Sequence, residues 1–230
     1  MDHPIFYIGA LAFIGYFFWT WLQDFRANVQ ALRQGSEGRP EADSVTPPIE
    51  PVPGTLPGAT PVRSLAVVIA VVGALVILGL EVAGEYGLDI VQEQTEVTLL
   101  FGLYTLAAAF VEELIFRGFL YYDKGSKAML VASIVLISVV FALLHQHIWV
   151  FEPPPDERWW DVSHSFSLDL GTKALFSTAI IFMNSLWFYF VRFFHLNPFR
   201  SLIPCFAAHL SSNLGVLLIK AAQGKLVGLY

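Results

Sequence analysis

Six runs of apolar residues recur along the chain, at 4 to 22, 65 to 80, 97 to 120, 128 to 148, 174 to 194 and 201 to 222. A helix crosses the hydrocarbon core of a bilayer with about 20 mostly apolar residues. Runs of this length and number therefore predict an all-α fold, a polytopic transmembrane helix bundle of about six membrane helices. Composition agrees: of 230 residues 56% are hydrophobic and 14% charged, outside the usual soluble range.

The first run, "PIFYIGALAFIGYFFWTWL", follows Asp2 and His3 instead of Lys or Arg, and no small-x-small cleavage site comes after it. It is expected to be an uncleaved helix over 1 to 24, with Trp19 and Trp21 at the membrane interface. Residues 25 to 63 are rich in Pro and Gly and poor in large apolar side chains, so they are expected to form a disordered linker. Residues 64 to 230 then make the helical membrane domain, with 149 to 173 as a long loop carrying three prolines and interfacial tryptophans. Nine of the 13 Lys and Arg residues fall in 23 to 64, 117 to 127 and 192 to 200, a bias that puts both termini outside.

The net charge of −6 is spread over loops with no basic face, which argues against nucleic acid as a partner. Cys205 has no second thiol for a disulfide or a Cys-only metal site and reads as a small core residue. The partners expected are membrane lipid and a membrane-associated peptide or protein.

"VEELIFRGFL", 111 to 120, places Glu112, Glu113 and Arg117 inside an apolar run. A charge at the bilayer centre costs about 2.5–3.5 kcal/mol or more unless it is paired or solvated. Glu113 and Arg117 lie four apart, glutamate first, which is the favourable order for a pair on one helix face. Glu112 is about 100° further round. The pair reads as a buried structural support, and Glu112 is left for chemistry. Two other helices carry small polar clusters: Phe141 and His145 in "FALLHQH", and His209 and Asn213 in "HLSSNLG". Such groups face bundle interiors, because lipid offers no hydrogen-bond partner. The spacing predicts that Glu112, His145, His209 and Asn213 converge. Drawn as one straight helix, 97 to 124 would set Glu112 and His145 at different depths, about 20 and 27 Å from the turn at Gly125; a tilt, an uneven turn or a break near Gly118 would level them. The histidines His3, His147, His164 and His195 read as loop or interface residues, Phe141 as packing, and the aromatics of "SLWFYFVRFFH" as lipid-facing bulk and interface anchors.

E-E-x-x-x-R at 112 to 117, F-x-x-x-H at 141 to 145 and H-x-x-x-N at 209 to 213, in that order on separate apolar helices, resemble the three motifs of the CAAX protease and bacteriocin-processing (Abi) family of intramembrane endopeptidases. That family includes the type II CAAX prenyl endopeptidase. The resemblance covers roughly 97 to 220 and extends to Gly118 after the arginine. It implies that Glu112 is general base to a water that His145 helps to hold, that His209 and Asn213 stabilise the oxyanion, and that Glu113 and Arg117 support them. A metal-free water is favoured; if zinc is bound, Glu112, His145 and His209 are its expected ligands. The substrate implied is a membrane-associated, CAAX-type peptide, and the expected location is the plasma (inner) membrane of a prokaryote. A catalytically silent scaffold or bacteriocin-immunity protein of the same fold is the alternative. A proton-relaying transporter fits less well, since the halves of the chain show no internal symmetry.

Overall fold

The computed structural model describes residues 4–37, 52–152 and 165–229. Six α-helices dominate it: α1 (Pro4–Glu37), α2 (Ser64–Gly87), α3 (Leu99–Glu113), α4 (Lys127–Leu144), α5 (Thr172–Phe193) and α6 (Ile203–Ala222). A π-helical turn, Leu114–Phe119, continues α3, and a short antiparallel hairpin, β1 (Trp149–Phe151) with β2 (Phe166–Leu168), joins α4 to α5. The fold is an all-α bundle. Among the described residues five helices, α2, α3 with its π-turn, α4, α5 and α6, are long and apolar enough to cross a membrane. The first apolar run, 4 to 22, forms the first part of α1. Local signals set several of the boundaries: Thr98 caps α3 through Phe101 N–H (3.2 Å), Ser126 caps α4 through Met129 N–H (3.3 Å), and Pro204 sits in the first turn of α6.

The chain divides into two units. The first comprises Met1–Leu75, Thr95–Tyr121 and Trp187–Tyr230. Its core gathers Trp21, Ala66, Ala70, Ala74, Leu114, Phe188, Val191, Leu202, Cys205 and Ala208. The alanines repeat every fourth residue along α2, giving a flat face on which Trp187 lies and bonds the Ala70 carbonyl (2.9 Å). A Cβ at Gly73 would come within 2.0 Å of that indole, so only glycine permits the approach. On α3, Gly102 plays the same part for α6: a Cβ there would stand 2.6 Å from Leu217 Cδ1. The two helices run antiparallel, and this close approach brings their polar residues level.

Two expectations are corrected in this unit. The presumed linker 25 to 63 is helical as far as Glu37 and hydrogen-bonded over 52 to 63, while its residues 38–51 lie outside those described. A Pro- and Gly-rich strap has no core of its own, but α1 supplies one wall and the α5–α6 corner another. Asn28 donates to the Ala59 carbonyl (2.8 Å) and accepts from Val52 N–H (2.7 Å), and Asp24 accepts from Leu56 N–H (2.8 Å). Thr60 donates to the Phe199 carbonyl (3.1 Å), and Leu202 N–H to the Gly58 carbonyl (3.0 Å). Trp21, expected at the interface, is 4% exposed and donates to the Pro57 carbonyl (3.3 Å), whereas Trp19 is exposed.

The second unit comprises Val76–Gln94 and Tyr122–Leu186. Ser138 of α4 and Ser185 of α5, both buried, share a hydrogen bond of 2.9 Å, and Gly84 admits the ring of Phe176. The long loop 149 to 173 contains the hairpin, and its residues 153–164, with Trp159, Trp160 and His164, lie outside those described.

Candidate active site

The last turn of α3 carries the two glutamates. Because successive residues of a helix are turned by about 100°, they diverge at once. Glu113 is 0% exposed, and its Oε1 accepts from Arg117 Nη1 (3.1 Å) and lies 2.7 Å from His209 Nδ1. Glu112 keeps 35% of its side chain exposed, and its Oε2 faces His209 Nε2 at 3.8 Å. That separation is too long for a direct hydrogen bond. His209 of α6 thus stands between the two carboxylates, one on each ring nitrogen.

A carboxylate only accepts, so the bond to Glu113 requires a proton on His209 Nδ1 and turns Nε2 toward Glu112. The ring is held from the side by Phe188, stacked at 4.9 Å with 23° between planes. Arg117, also 0% exposed, lies with its Cζ 5.1 Å from the ring centroids of Phe188 and Tyr189.

Asn213, one turn further along α6, donates to the Thr105 carbonyl (3.1 Å) and does not meet either carboxylate. An amide nitrogen has two protons. One fixes the side chain against α3, and the second has no partner among the described residues.

His145 belongs to the second unit. It is the C-cap of α4, exposed, with Nδ1 2.8 Å from the Phe141 carbonyl and its ring 4.7 Å from that of Phe141. The carbonyl accepts, so here too the proton sits on Nδ1 and Nε2 is left as an acceptor. Phe141 itself is buried, in keeping with a packing role.

Glu112, Glu113, Arg117 and His209 therefore come together, Asn213 sits a turn away, and His145 is tied within its own helix. The spacing missed the bond between His209 and Glu113, and it missed the contribution of α5 to the site. Phe188, Tyr189 and Arg192 of "SLWFYFVRFFH" are 1%, 0% and 2% exposed, not lipid-facing bulk, although Phe190 is exposed. A signal was present: Ser185, Tyr189 and Arg192 repeat at intervals of four and three, a polar stripe along one face of an apolar helix. Among the described residues no group of three or more His, Cys, Asp and Glu side chains stands together as a metal site.

Residues 94–215, just over half of the chain, match the family model described as type II CAAX prenyl endopeptidase Rce1-like. The chain belongs to this family. As an Rce1-like protein it is a CAAX-type intramembrane endopeptidase and a multi-pass integral membrane protein, with its paired glutamates, His145, His209 and Asn213 all inside the matched span. No curated protein and no solved structure matches the chain. Helix α1 and the strap 52 to 63 lie outside the matched residues of this endopeptidase, yet they are packed into its first unit.

Proposed function

We propose that the endopeptidase hydrolyses its peptide bond with a water activated by Glu112, without a metal. The observation that carries this reading is the division of labour between neighbouring carboxylates: Glu113 Oε1 is taken by Arg117 and His209, while Glu112 is part-exposed and faces His209 Nε2 at 3.8 Å without a direct hydrogen bond, open to water. Glu112 takes a proton from the water as its oxygen attacks the peptide carbonyl carbon, and His145 holds the same water through its acceptor Nε2. The oxyanion that forms accepts hydrogen bonds from His209 Nε2–H and from the second amide proton of Asn213, the kind of stabilisation worth about 2.7–4 kcal/mol per donor. Glu112 then passes its proton to the leaving nitrogen as the C–N bond breaks. A His209 that donates from Nε2 carries protons on both nitrogens, and the cluster of two carboxylates, one guanidinium and one imidazolium is then neutral, as a site withdrawn from water requires.

The substrate proposed is a membrane-associated peptide, prenylated at a CAAX-type C-terminus or an equivalent lipid-held peptide, and the membrane is the plasma membrane of a prokaryotic cell. The test is cleavage of a membrane-anchored fluorogenic peptide by the purified chain in lipid nanodiscs. Glu112→Gln is expected to lower kcat by at least a thousandfold and His145→Ala by about a hundredfold, at unchanged folding, and dialysis against a strong chelator is expected to leave the rate intact. A Glu112→Gln chain that still cleaves refutes the base assignment. A rate lost to the chelator and restored by zinc refutes the metal-free mechanism, and unaltered cell function in both variants favours the scaffold.

A further inference from the structure

The turn that follows Glu113 is unusual. Leu120 N–H donates to the Ile115 carbonyl five residues back (3.0 Å), the signature of a π-turn, and the chain leaves the helix there. The last carbonyls of such a turn have no further helix to bond. Three of them are met by α5. The Tyr189 hydroxyl lies 2.7 Å from both the Phe116 and the Leu120 carbonyl oxygens, its one proton shared between them, and Arg192 Nε donates to the Arg117 carbonyl (3.3 Å). Tyr189 also presents its ring to the Arg117 guanidinium at 5.1 Å, so a single fully buried side chain touches both the main chain and the side chain of this turn.

The consequence runs along a chain of contacts. Tyr189 holds the turn, the turn sets the azimuth of Arg117 relative to Glu113, Arg117 and His209 share Glu113 Oε1, and His209 faces Glu112. Packing alone does not call for a hydroxyl here, because phenylalanine fills the same volume. Main-chain capping does: without it the wide turn relaxes toward ordinary α-geometry and rotates Arg117 away from Glu113.

We propose that Tyr189 is a positioning residue of this endopeptidase, whose hydroxyl keeps the π-turn after Glu113 in the shape that holds His209 Nδ1–H on Glu113. As a contribution to catalysis this rests on the peptidase reading above, and the test separates the two. Full-length chain carrying ¹⁵N-histidine is examined in nanodiscs, with the His209 signals assigned by their loss in His209→Gln, alongside kinetics on the anchored peptide. Wild type is expected to show a single His209 Nδ1–H signal, that of a proton held against Glu113. Tyr189→Phe is expected to show that Nδ1–H signal shifted and split, with kcat down about tenfold or more and KM within about twofold, since small misplacements near a reacting centre act on the chemical step. Replacement of Tyr189 by 4-aminophenylalanine, which keeps a donor in place, restores both. A folded Tyr189→Phe chain with an unaltered Nδ1–H signal overturns the proposal whatever its activity, and so does an unchanged kcat. Should Tyr189→Phe not fold, failure of the amino analogue to restore the wild-type signal overturns it equally. A wild-type chain that cleaves no anchored peptide overturns the peptidase reading, and the Nδ1–H measurement still decides the role of Tyr189.

Discussion

Replacing Glu113 by glutamine should cost stability, whereas the same change at Glu112 should not, although the two residues are neighbours. Glu113 Oε1 receives two donors, Arg117 Nη1 at 3.1 Å and His209 Nδ1 at 2.7 Å, and both Glu113 and Arg117 are 0% exposed. Glu113→Gln keeps an oxygen for the two donors but removes the charge that pairs with a buried guanidinium. It also sets an amide NH2 at the position of Oε2, which has no hydrogen-bond partner among the described residues. Breaking a buried pair from one side costs about 3–5 kcal/mol, equivalent to a fall in Tm of about 6–20 °C for a chain of this size. Glu112 makes no direct side-chain hydrogen bond among the described residues and keeps 35% of its side chain exposed, so Glu112→Gln should stay within about 1 kcal/mol of wild type.

The assay is thermal or denaturant unfolding in one detergent, read by near-UV circular dichroism, on wild type, both single variants and the double variant Glu113→Leu/Arg117→Met. Removing both charges together is expected to recover most of the lost stability, because an apolar pair of similar volume replaces a buried ion pair at little or no cost. It should not recover activity, since His209 has then lost the acceptor that fixes its ring. Equal stability of Glu113→Gln and wild type, or a double variant no more stable than Glu113→Gln, would refute the electrostatic account of this cluster.

Other changes probe what delivers the site. Gly102→Ala drives a Cβ to within 2.6 Å of Leu217 Cδ1, so it should cost about 1–3 kcal/mol and lower activity, and Leu217→Ala in the same chain should rescue both. Gly58 has φ +64° and its Cβ would meet the Leu202 main-chain nitrogen at 2.8 Å, so Gly58→Ala should lower the unfolding midpoint by more than the loss of one hydrogen bond would. Asn28→Ala removes the bonds to Ala59 and Val52 and should open 52 to 63 to limited proteolysis while the helices of the matched span stay protected. Protection of 52 to 63 equal to wild type would show that α1 does not hold it.

The helices were legible because apolar runs of bilayer length leave the chain one economical solution, and the glutamate pair stood out against lipid cost. Partners in space were less legible. A helix wheel gives the face of Glu113 but not which neighbour arrives there, and the i, i+4 rule named Arg117 while His209 came from a residue 96 positions away. The strap failed for a similar reason: Pro and Gly content describes a segment alone, and Asp24 and Asn28, which satisfy its backbone, lie far upstream. The π-turn has no residue code, so its shape became visible only with the α5 donors that complete it.

Adjacency of the two glutamates is itself a consequence of helix geometry. A residue that must be buried against α6 and α5, and another that must stay reachable by water and peptide, need side chains on different azimuths at the same depth. Neighbours on one helix differ by about 100° and by 1.5 Å in rise, which meets both demands. A spacing of three or four residues would place both carboxylates on one face, competing for Arg117 and His209 and repelling each other. His209 reads the arrangement through its two nitrogens: Nδ1 takes the buried carboxylate and Nε2 is aimed at the accessible one. Exchanging the roles, with Glu112→Gln rescued by any acidic residue one turn away, is therefore not expected, because no position at that spacing has the depth of Glu113 and the azimuth of Glu112 together.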